Sequence, residues 1–67
     1  MNPGKVEASE DHPLLHCPVR DIASGAEGEL MAVAHERHGG RLIRIAHIRS
    51  ANGIAWSTAA DNIGPVR

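Results

Sequence analysis

A mainly β fold follows from three features of the 67-residue sequence: an Asn52-Gly53 pair, a Gly39-Gly40 pair, and the isoleucines crowded between them. Asn-Gly and Gly-Gly supply the positive φ angles that tight hairpin turns demand. Ile43, Ile45 and Ile48 raise the β preference of the segment that joins the two turns. The expected architecture is a small SH3-like barrel or a curled antiparallel meander of about three to five strands, with a disordered N-terminal tail.

Residues 1–13 hold two prolines, a glycine and an acidic cluster, with few apolar groups to offset ordering entropy. They read as a disordered acidic tail, which leaves 14–67 as a single small β domain. Leu14-Leu15 tack the end of the tail onto the body. Residues 18–22 form a short strand on Val19 and Ile22, and residues 23–28, with two glycines, form a loop. Residues 29–37 and 41–50 follow as strands around the Gly-Gly turn. Leu30, Val33, Ala34 and Arg37 also fit helical spacing, so 29–38 stands between strand and helix until its neighbour is considered. The neighbour favours the strand: a segment that enters a type I′ turn at Asn52-Gly53 must be extended. Ile54, Trp56 and Thr58 then alternate with small residues as a half-buried strand over 54–58. Residues 59–65 read as a turn that returns Ile63 to the core, with Pro65 opposing ladder pairing.

The core has to be aliphatic, because Trp56 is the one aromatic residue. Aromatic side chains bury the most area per residue. A chain this short without them is expected to be marginally stable and helped by dimerisation. One cysteine, Cys17, excludes an internal disulfide and fits a reducing, cytoplasmic setting. No apolar run approaches the ~20 residues of a membrane span, and the first residues lack the apolar stretch of a signal peptide.

The net charge of −1 conceals a division. Residues 1–36 carry two basic and seven acidic side chains, net −5, while residues 37–67 carry five basic and one acidic, net +4. Either the halves neutralise each other across the fold, or the second presents a basic face to an anion. If 41–49 is extended, Arg41, Ile43, Ile45, His47 and Arg49 share one face and Leu42, Arg44, Ala46 and Ile48 the other. Ile43 and Ile45 are expected to face the core, with Arg44 outward. The candidate binding surface is then Arg37, His38, Arg41, Arg44, His47, Arg49 and Trp56. A pI near 6.5 and the lack of a Lys cluster weigh against a phosphate-binding role. Trp56 reads as a core or dimer-interface anchor before it reads as a base-stacking platform.

Five histidines invite a metal reading. Yet His12 and His16 are separated by Pro13, which spoils a helical ligand pair, and His35 and His38 run into a glycine turn. Neither CxxC nor HExxH occurs, so no metal or cofactor is implied. Cys17 follows His16 directly, and adjacent strand residues point to opposite faces, so an inert buried thiol is expected rather than a nucleophile. An enzyme is not indicated, since so short a chain has little room for a substrate pocket.

The segments Arg41–Arg49, Asn52-Gly53, Trp56-Ser57-Thr58 and Asp61-Asn62-Ile63, within the stretch from Gly28 to Ile63, resemble a group of short uncharacterised actinobacterial, Streptomyces-like proteins. That resemblance implies the strand reading over about half of the chain and carries no activity. The expected function is a small non-enzymatic interaction module that binds a protein partner or itself, as a homodimer. The alternative is a weak nucleic-acid-binding β-barrel using the Arg-rich strand.

Overall fold

Long runs that carry Val33 on one side of Gly39-Gly40 and Ile43, Ile45 and Ile48 on the other favour extended chain, and the longest strands form there. The computed structural model describes residues 5–66. Six strands run along it: β1 (Lys5–Glu10), β2 (Pro18–Asp21), β3 (Glu27–His38), β4 (Arg41–Arg49), β5 (Ala55–Ala59) and β6 (Ile63–Pro65), with a 3-10 turn at Ala60–Asn62. They form one antiparallel sheet in the order β5-β4-β3-β2-β6, with β1 also paired to β3. The sheet is not closed into a barrel, because its path ends at β5 on one side and at β6 on the other.

The twelve-residue β3 organises everything. From Glu29 to His38 it pairs with β4, while its opposite side is shared: Glu27–Glu29 pair with β2 and Val33–Arg37 with β1. A bulge between Leu30 and Ala32 bends the strand where the sharing changes over. Close to that bend, Gly28 lies against β4. A Cβ added there would sit 2.6 Å from the Arg49 carbonyl oxygen and 2.9 Å from Ile48 Cγ2. The glycine expected in a loop is a strand residue, required by close approach of another backbone.

Residues 29–38, ambiguous from spacing, are strand throughout. His38 and Arg41 face each other across Gly39 and Gly40, whose φ values are 56° and 81°. Positive φ at both central residues is the type I′ signature, so the two-residue hairpin forms at Gly39-Gly40 and not at Asn52-Gly53. At the second site Gly53 alone has positive φ, 89°. Its amide donates to the Ser50 carbonyl at 2.9 Å, and Ser50 N donates to Ile54 O at 2.8 Å. That is a three-residue loop closed by a left-handed glycine.

Residues 5–10, expected in a disordered tail, form β1, and residues 1–4 lie outside the described residues. The order comes from the outer half of β3, which offers an open ladder, and from Arg37 of β3 and Arg44 of β4, which receive the acidic side chains. Pro65 likewise belongs to a paired strand: β6 pairs with β2, Val19 opposite Pro65. Ile22 N donates to Asn62 O, so by alternation Gly64 faces β2 while Ile63 and Pro65 turn their backbone groups outward. The absent proline N–H therefore costs no ladder bond.

Val19, Leu30, Val33, Ala46, Ile48 and Ala60 form the core, with Leu14, Leu15, Trp56 and Ile63 packed against it. Leu30, Val33 and Ala46 are wholly buried. The two faces of β4 divide as alternation requires, but their roles are opposite to expectation. Ala46 and Ile48 point into the core, so Arg44 lies on their side of the sheet, while Ile43 and Ile45 share the other face with His47. Small Ala46 makes room for Thr58 opposite it, and Ile48 meets Trp56.

Candidate interaction surface

The charges that divide the sequence meet across the sheet. Glu10, at the end of β1, receives the fork of Arg44: Nε at 2.8 Å on one oxygen and Nη2 at 2.7 Å on the other. His35 Nε2 donates to the same carboxylate at 2.9 Å. Arg44 Nη1 continues to Asp61 at 2.9 Å. These donors, Arg44 first and His35 second, hold the Glu10 carboxyl at a pKa of about 2, well below its usual 4.5. Glu10 in return raises the pKa of the Arg44 guanidinium. Farther along β1, Glu7 meets Arg37 at 3.5 Å.

On the opposite face, Glu36 accepts from His38 Nε2 and His47 Nε2, each at 3.0 Å. Its side chain is 12 % exposed, and the two imidazole donors lower its pKa despite that burial. The expected basic surface is thus taken apart: Arg37, His38, Arg44 and His47 are held by carboxylates. Arg41 and Arg49 make no ion pair among the described residues. They stand at opposite ends of β4, roughly 26 Å apart at ~3.3 Å per residue.

Trp56 is half-buried against the core, and its Nε1–H donates to Asp21 Oδ2 at 3.0 Å. Asp21 is 6 % exposed. It also accepts from Asn62 Nδ2 and from the backbone amides of Ala23 and Ser24, and Asn62 reaches on to Thr58. Burial pushes the Asp21 carboxyl up. The hydrogen bonds from Trp56, Ser24 and Asn62 outweigh it, so the net displacement is downward. This knot ties β2, β5 and the 3-10 turn together, with the Trp56 indole as one of its donors.

The thiol of Cys17 is exposed, against the expectation of a buried one. The reason is local. His16 takes φ 65°, its amide bonds to the Leu30 carbonyl, and the Cys17 carbonyl accepts from Leu30 N. The chain therefore meets β3 through backbone groups and leaves the side chain of Cys17 outside. His16 Nδ1 lies 3.4 Å from Glu29. Both residues line an open groove of about 650 Å³ with Met31 and Arg49. Among the described residues, no group of three or more His, Cys, Asp or Glu side chains could hold a metal ion, and no helix is long and apolar enough to cross a membrane.

What remains unsatisfied is backbone. Strands that border a sheet carry rows of unpaired N–H and C=O groups, and proteins blunt them with charge, proline, bulges or short length. β1 has Glu7 and Glu10 and a bulge between Val6 and Ala8. β6 has three residues, one of them Pro65. The stretch of β4 beyond its pairing with β5, residues 41–44, bears Arg41 and Arg44. β5, Ala-Trp-Ser-Thr-Ala, has none of these devices. Exposed Ile54 precedes it. Ala55, Ser57 and Ala59 were missed by reading the sequence for chemistry. The signal available there was an absence, seven residues from 54 to 60 with no charge and no proline.

No protein-family model, no curated protein and no solved structure matches this chain.

Proposed function

We propose that this protein is a small non-enzymatic interaction module that binds a protein partner, or a second copy of itself, by accepting a strand along β5. The observation that carries this reading is the contrast among the sheet's borders: the others are guarded and β5 is not. Strand addition draws its affinity from main-chain hydrogen bonds, with alternate side chains selecting the guest. Here the guest strand would lie beside Trp56 and Thr58 on the core side and beside Ser57 on the other. The sheet is already anchored at β5 by the Trp56–Asp21 bond, so accepting a strand requires no refolding. A reducing, cytoplasmic setting accords with the single exposed Cys17.

The nucleic-acid alternative loses its support with the ion pairs of Arg37 and Arg44 and the separation of Arg41 from Arg49. The test of the strand-addition reading is capture from a cell extract by immobilised full-length protein and by its Ser57→Pro and Ser57→Lys variants. Proteins held by the wild type should be lost from both variants. Capture that survives both substitutions refutes the reading.

A further inference from the structure

We propose that the strand β5 accepts is β5 of a second copy of this chain, antiparallel and centred on Ser57, an inference that rests on the strand-addition reading above. Alternation of the ladder fixes which backbone groups are available. Ser50 N bonds to Ile54 O, and Trp56 and Thr58 continue that series opposite Ile48 and Ala46. Ile54, Trp56 and Thr58 therefore direct their N–H and C=O groups at β4, and Ala55, Ser57 and Ala59 direct theirs outward. The same phase follows from the other hairpin. His38 and Arg41 close the Gly-Gly turn as a bonded pair, so residues 43, 45 and 47 face β3, while 46 and 48 face β5.

An outward set at 55, 57 and 59 is symmetric about its middle member. Placed antiparallel against itself, it sets Ser57 opposite Ser57 and Ala55 opposite Ala59, each pair exchanging both of its N–H···O bonds. This is an isologous, closed contact, which ends at two copies and does not propagate. Charge supports the same direction. Arg49, which makes no ion pair among the described residues, stands beside Ala55 at one end of β5, and the Arg44–Asp61 ion pair lies at the other. Antiparallel pairing keeps the Arg49 side chains of the two copies at opposite ends of the contact, whereas parallel pairing sets them side by side. A five-residue edge buries well under the ~800 Å² per partner of a standard stable complex. The dimer is therefore transient, and covalent trapping is the way to see it.

The experiment uses the full-length chain with Cys17→Ser, since that thiol is exposed. In a bonded antiparallel pair the Cα atoms stand about 5.5 Å apart, within the span of a disulfide. Under mild oxidation Ser57→Cys should form a disulfide-linked dimer. Ala55→Cys alone should yield several-fold less, and an equimolar mixture of Ala55→Cys with Ala59→Cys should cross-link between the two variants. Equal yields from Ser57→Cys and Ala55→Cys overturn the register, and a Ser57→Cys protein that stays monomeric overturns self-pairing. In that last case, captured proteins lost from Ser57→Pro would show that strand addition survives with a different guest. Capture unaffected by Ser57→Pro would remove both.

Discussion

Gly28→Ala introduces one methyl carbon 2.6 Å from the Arg49 carbonyl oxygen, 2.9 Å from its carbonyl carbon and 2.9 Å from Ile48 Cγ2. Two of the three atoms are backbone, so no side-chain rotation relieves the contact. Restoring a tolerable separation moves the end of β4 away from β3 by roughly 0.6 Å, which stretches an ordinary ~2.9 Å ladder bond to the limit of hydrogen bonding. Overpacking of this kind costs about 1–3 kcal/mol, and a weakened ladder bond adds up to ~1 kcal/mol. A loss of about 2–3 kcal/mol is large against the roughly 3–10 kcal/mol expected for a chain of this length. It corresponds to a fall in Tm of about 10–20 °C. Urea unfolding followed by the fluorescence of Trp56, the one aromatic side chain, reads this directly. Gly64→Ala is the matched control, since a Cβ there meets nothing within 4 Å. Its midpoint should stay near that of the wild type or rise slightly, by the ~0.4–1 kcal/mol that a stiffer unfolded chain confers. Equal midpoints for the two variants would refute the claim that close approach of β4 dictates glycine at position 28.

Acid should release β1 before the core. The Glu10 carboxyl titrates at about 2 in the folded protein against 4.5 when free. Its hold on Arg44 and His35 is complete above about pH 4.5, weakens as the pH falls from there towards 2, and is gone below. Amide chemical shifts of Val6 to Glu10 should move towards random-coil values through that window while those of Leu30 and Ile48 stay dispersed; a change confined to pH above 4.5 contradicts the assignment. In Arg44→Gln the same transition should shift to higher pH. Asp21→Asn leaves one oxygen where two accept from Trp56, Asn62 and the loop amides, so it should lower the urea midpoint and alter Trp56 emission. An unchanged midpoint and spectrum would show that the knot is incidental. Leu30→Ala removes a wholly buried side chain at the bend of β3 and should cost about 2–5 kcal/mol, enough to leave little folded protein by circular dichroism at 37 °C. A fully folded Leu30→Ala variant would place the core elsewhere.

The parts of this fold that were legible are the local ones. Two successive glycines marked Gly39-Gly40 as a turn, where both φ values are positive, and the alternation of Trp56 and Thr58 with small residues marked β5, although Ile54 lies exposed just before the strand. Even the two faces of β4 could be separated by counting. Choosing which face meets the core could not, because each carries both apolar and charged residues. The large side chains Ile43 and Ile45 argued for one, and the tight packing of Ala46 and Ile48 against Thr58 and Trp56 decided for the other.

Composition determined an aliphatic core, and residue order determined strands bounded by glycine turns and two halves of opposite charge. Tertiary structure decided how those charges are spent. An acidic segment with too few apolar groups to order itself becomes β1 because the bent β3 presents an open ladder and because Arg37, His35 and Arg44 face its carboxylates. Which border of the sheet stays unguarded was likewise set by pairing partners distant in sequence. A strand's period is a property of its own residues, but its neighbours, and hence its free edge, belong to the whole sheet.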